Sequence, residues 1–229
     1  MNPKLLIISD DHSRIVLIKI YLESLFLNTV DMHIWSSAGT IYDQSGMYIT
    51  EDNFQTTVIP QYTQYQYDAI VVDTEENQLP RGLHNWHSHI KSLVVYLPAA
   101  IPRERPLMLV IPTNYHLLQE QTIRQLQWLI RHTGISLRFI HMNVMEETME
   151  SLYDPTDDRF TEQIRQHFEP GSYSFRFPKN NEVSKALVQY IREIKPPFIL
   201  GIPDGGFDLF RHHLSAWAED SIQQPYIIF

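Results

Sequence analysis

The chain has 229 residues, no cysteine and a formal net charge of −9. The lack of cysteine excludes disulfides, thiol nucleophiles and zinc-thiolate sites, and the acidic balance argues against a broad nucleic-acid surface, which needs clustered Lys and Arg. With 43% apolar and 20% charged residues, the composition is that of a packed globular protein, long enough for one large domain or two small α/β domains.

The opening, MNPKLLIISDDHSR, is too short and too acidic for a signal peptide, and no apolar run approaches the ~20 residues of a membrane span. A cytoplasmic protein is the expectation. KLLIISD (4–10) reads as a buried parallel strand ending in polar turn residues. Ser13 is the expected N-cap of the following helix, whose apolar face is Ile15, Ile18, Leu22, Leu25 and Phe26. Residues 28–66 are polar and rich in Tyr, Gln and Thr, with DMHIWSS and FQTTVIP as modest strand candidates. YDAIVVD (67–73) and SLVVYL (92–97) are two further apolar strands.

PAAIPRERP (98–106) places three prolines among charges and reads as a linker. PLMLVIPTN (106–114) is then a strand, and Ile123, Leu126, Leu129 and Ile130 mark one face of a helix that Gly134 closes. ISLRFIHM (135–142) is the next strand, and MEETMESLYDPTDDRF (145–160) reads as a solvated acidic helix face and loop, with a lid or partner surface as the other possibility. Val183, Ala186, Leu187, Tyr190, Ile191 and Ile194 form a helical stripe after Asn181, ended by Pro196 and Pro197. FILGIP (198–203) is a strand, the helix after it carries Phe210, Leu214 and Trp217, and PYIIF (225–229) is a last short strand. Strands alternating with helices imply a mostly parallel sheet flanked by helices, and the two halves repeat one order of elements.

The second half resembles the universal stress protein family. LVIPTNYHLLQEQTIRQLQWLIRHTGISLRFIHMNV is similar to the opening of such a domain, and NEVSKALVQYIREIKPPFILGIPDGGFDLFRHHLSAWAEDSIQQPYIIF to its close. Residues 1–97 resemble the same domain in reduced form. The resemblance implies two tandem domains of the adenine nucleotide alpha hydrolase-like, Rossmann-type α/β class, at 1–100 and 104–229, the first degenerate. It also implies that the edge strands SLVVYL and PYIIF cover one another within the chain, with a homodimer as a further possibility.

Nucleotide-binding members carry a glycine, two residues, a second glycine, nine residues, then Gly-Ser or Gly-Thr. With Gly201 as the first glycine, Asp204 stands in place of the second, and Leu214-Ser215 in place of Gly-Ser. Asn114 replaces the aspartate after the first strand of this half. The resemblance would line the crevice with Pro112, Thr113, Asn114, Gly201, Gly205, Gly206 and Ser215. A helix N-terminus binds anions through unpaired amides and a partial positive charge. Asp204 is placed to accept those amides itself, which sets a protein carboxylate against an incoming phosphate. The expected function is therefore a non-catalytic stress-response or regulatory protein with nucleotide binding lost or weak, the alternative being an ATP-binding member of the family.

Two other constellations stand apart. His84, His87 and His89 lie within six residues and form a weak metal candidate, more simply read as a polar turn. His212 and His213 point apart on a helix, against joint ligation. Asp10 and Asp11 after the first strand and Asp73 after YDAIVV suggest a phosphoryl-receiver site, the second alternative; against it, LVVYLPAA ends in Leu-Pro where a receiver has a hydroxyl residue. No nucleophile with a base partner stands out, and an enzyme is not expected.

Overall fold

The computed structural model describes residues 2–9, 11–35, 66–73, 92–113, 117–141, 159–176, 193–194, 197–202 and 225–229. Among them are nine strands and three helices, an α/β architecture whose strands are mostly parallel. None of those helices is long and apolar enough to cross a membrane. The chain divides into two compact units, Met1–Arg105 with Gln223–Ile228, and Pro106–Ile222 with Phe229. The expected FQTTVIP strand, most of the stripe from Val183 to Ile194, and the helix carrying Phe210, Leu214 and Trp217 lie outside the described residues.

Unit 1 begins with β1 (Lys4–Ile8), followed by α1 (His12–Leu25) and β2 (Asp31–Trp35), with β2 parallel to β1. The next strand, β3 (Ala69–Asp73), lies on the opposite side of β1, and β4 (Leu93–Leu97) lies beyond it; both pairings are parallel. Every residue of β3 and β4 is buried, which is why these segments read as unbroken apolar runs rather than alternating ones. The unit ends with β9 (Tyr226–Ile228), antiparallel to β4 in the register Val94↔Ile228, Val95↔Ile227 and Tyr96↔Tyr226. The rings of Tyr96 and Tyr226 stack there with centroids 4.7 Å apart.

The five expected core positions of α1 are all buried, and Tyr21 joins them. The helix starts earlier than the sequence suggests. Asp11, not Ser13, is the N-cap: its backbone is extended and its carboxylate accepts from the Ser13 amide at 2.7 Å. An aspartate outcompetes a serine for this role because its charge also meets the positive end of the helix. The Ser13 hydroxyl donates to the same carboxylate at 2.6 Å.

Unit 2 is built on β5 (Met108–Thr113), with β6 (Ser136–His141) on one side and β8 (Phe198–Ile202) on the other, both parallel to it. A fourth parallel strand, β7 (Tyr173–Arg176), borders β6. Between β5 and β6 runs α2 (Glu120–Thr133), which buries Ile123, Leu126 and Leu129 of the expected face and leaves Ile130 half-buried. Gly134 ends it with φ of 66°, the left-handed conformation expected of a residue just past a helix.

A third helix, α3 (Arg159–His167), precedes β7. Neither α3 nor β7 was legible behind the acidic stretch before them. Phe160 and Ile164 of α3 and Phe168 just after it are buried, and Phe160 meets Phe139 edge-to-face at 5.4 Å. The Gln163 amide fastens α3 to the segment before α2, accepting from the Leu118 N–H at 2.9 Å and donating to its carbonyl at 3.0 Å.

Candidate functional site

In open parallel sheets, ligands enter at the carboxyl ends of the strands, where successive connections diverge to opposite sides of a strand. Each unit has one such place among its described strands. In unit 1 it lies between β1 and β3, because the chain leaves β1 toward β2 and returns on the far side. In unit 2 it lies between β5 and β8 by the same reasoning.

The unit 1 crevice holds a polar cluster made by the chain itself. Asp73, the last residue of β3, has a side chain 1% exposed, and its ion-pair partner Arg14, in the first turn of α1, is 15% exposed. Arg14 Nε lies 3.0 and 2.9 Å from the two carboxylate oxygens, and Nη2 lies 2.5 Å from Oδ1. The Ser9 hydroxyl, just after β1, donates to Oδ2 at 2.8 Å. The rest of the guanidinium turns to the residues leaving β4: Nη2 donates to the Pro98 carbonyl at 3.0 Å, and Nη1 donates to that of Ala99.

In this geometry both oxygens of Asp73 accept hydrogen bonds, from a forked guanidinium and from a hydroxyl. Taking away one member of a buried pair of this kind costs roughly 3–5 kcal/mol, because the remaining charge stays buried alone. Asp11 is committed elsewhere. As the N-cap of α1, its carboxyl is held below its ordinary value, chiefly by the Ser13 side-chain and backbone hydrogen bonds. Asp10 lies outside the described residues.

In unit 2, Pro112 and Thr113 end β5 and are buried. Gly201 sits within β8, against β5 and the last residue of the chain. A Cβ on Gly201 would stand 2.9 Å from Phe229 Cε2 and 3.0 Å from Ile111 Cγ1. The absence of a side chain at 201 thus makes room for the buried Phe229 ring. Asn114, Gly205, Gly206 and Ser215 lie outside the described residues, as do Asp204, His84, His87, His89, His212 and His213. Among the described residues, no group of three or more His, Asp or Glu is arranged to hold a metal ion.

Sequence reading picked out Asp11 and Asp73 but not Arg14 or Ser9. The available signal was a cation in the first turn of the helix after β1, close behind the acidic residues that end the strand.

Compared with known proteins, the chain matches no family model and no curated protein.

Proposed function

We propose that this chain is a non-catalytic, cytoplasmic regulatory protein of the universal stress type, built from two tandem α/β domains of which the first is reduced. In this reading adenine-nucleotide binding is lost or weak. The observation that carries it is the Arg14–Asp73 pair, which fills the crevice of unit 1 with the protein's own charges. The packing of Phe229 on Gly201 gives a structural reason for the glycine that the resemblance assigns to a phosphate loop. The antiparallel pairing of β4 with β9 also supports the reading, since these are the edge strands that the resemblance brings together.

Isothermal titration of the full chain with ATP and Mg²⁺ tests the proposal. No heat of binding and no hydrolysis are expected, and micromolar affinity would overturn it. A second reading, as a phosphoryl receiver, draws on the place of Asp73 at the end of β3 beside Ser9. Incubation with acetyl phosphate separates the two, because a phosphoryl mass shift on Asp73 would favour the receiver.

A further inference from the structure

The acceptors around Arg14 form a set. Two carboxylate oxygens of Asp73 and the carbonyls of Pro98 and Ala99 all face one planar cation, which answers with donors from Nε, Nη1 and Nη2. Carboxylate and guanidinium are matched as fork to fork, a geometry that an ammonium cannot reproduce. The set also joins parts of unit 1 far apart in sequence. Asp73 belongs to β3, Arg14 to α1, and Pro98 and Ala99 begin the proline-rich segment that leaves β4. That segment has neither helix nor strand of its own to hold it.

We propose that the unit 1 crevice is a guanidinium-binding site whose resident ligand is Arg14, and that Arg14 thereby latches the segment 98–105 to the carboxyl ends of β1 and β3. While the latch is closed, the crevice admits no other cation, and the exit from β4 is held in place. This deepens the reading of a self-filled crevice and rests on it. Emptied of Arg14, the same acceptors take up a small guanidinium compound in preference to an amine of the same size.

The test is chemical rescue of Arg14→Ala, read by cleavage of the folded chain after the exposed Glu104 with a glutamate-specific protease. In the variant cleavage there should be several-fold faster than in the native chain, because the segment is no longer tied down. Ethylguanidinium should slow it again, ethylammonium should not, and neither should alter the native chain. Unchanged cleavage in the variant, or an equal response to the two cations, would overturn the proposal. Should Arg14→Ala fail to fold, Arg14→Lys keeps the charge without the fork. Faster cleavage after Glu104 in a folded Arg14→Lys supports the latch, and a native-like rate refutes it. ATP binding in the crevice of unit 2 would refute the proposed function and leave this result standing, so the two failures are distinguishable.

Discussion

Asp11 shows how one carboxylate can set the start of a helix. Its oxygens take the amide and hydroxyl of Ser13, and its carboxyl is held below the ordinary value of 3.8 in consequence. A lowered folded value means that the unfolded chain binds the proton more readily. The cap's contribution is therefore present above the unfolded carboxyl range and is lost as pH falls through the folded value. Asp11→Ala should melt below the native chain at neutral pH, and the gap should close in acid, as followed by circular dichroism. A gap that persists unchanged in acid would contradict the assignment. At this scale the sequence yielded the acidic residues but not their partners. Ser13 looked like the cap because serine is a common one, yet the aspartate two residues earlier holds the amide. Arg14 carries no such signal, because nothing local distinguishes a buried arginine from a solvated one.

Among the elements, β8 carries the clearest steric constraint. Gly201 leaves space that Phe229 and Ile111 fill, so a methyl group there must displace the ring or the strand. Gly201→Ala should lower stability by roughly 1–3 kcal/mol, the usual range for overpacking. Denaturant titration of Gly201→Ala, Phe229→Ala and the double variant should show the double losing less than the sum of the singles. Additive losses would mean that the ring does not occupy that space. The helices differ in how openly their sequences display them. α2 has one apolar stripe and a glycine stop, and the structure follows both. α1 is apolar nearly all round, with Ile15, Ile18 and Leu22 buried while Val16, Leu17 and Ile20 stand more than half exposed. Its buried face could still be named, because the positions at helical spacing are continued by Leu25 and Phe26. α3 is hidden in the sequence by the acidic stretch before it, although Phe160, Ile164 and Phe168 recur every four residues.

At the scale of the whole molecule, residues far apart in the chain meet in unit 1. Tyr96 on β4 and Tyr226 on β9 stack, and burial pushes both phenols, together with Tyr21 on α1, above their ordinary value of 10.0. A raised folded value means that the unfolded chain ionises first as the solution becomes alkaline. Their contribution to stability is fully present below about pH 10 and is lost as pH rises through the folded values. An alkaline titration should therefore show part of the tyrosinate absorbance appearing in one cooperative step, together with loss of the helical signal. Gradual ionisation of every tyrosine with that signal intact would count against the buried pair.

The sequence by itself determined the α/β class, the apolar strands at the start and middle of the chain, the buried faces of α1 and α2, and the glycine that stops α2. Those features are written in the spacing of neighbouring residues, which periodicity and capping chemistry can read. Only the tertiary structure decided that Phe229 claims the space beside Gly201 and that Arg14 fills the crevice of unit 1. Arg14 finds its partners 59, 84 and 85 residues away. No local pattern encodes a contact of that range, because it exists only once the strands have been ordered and the buried carboxylate needs a partner.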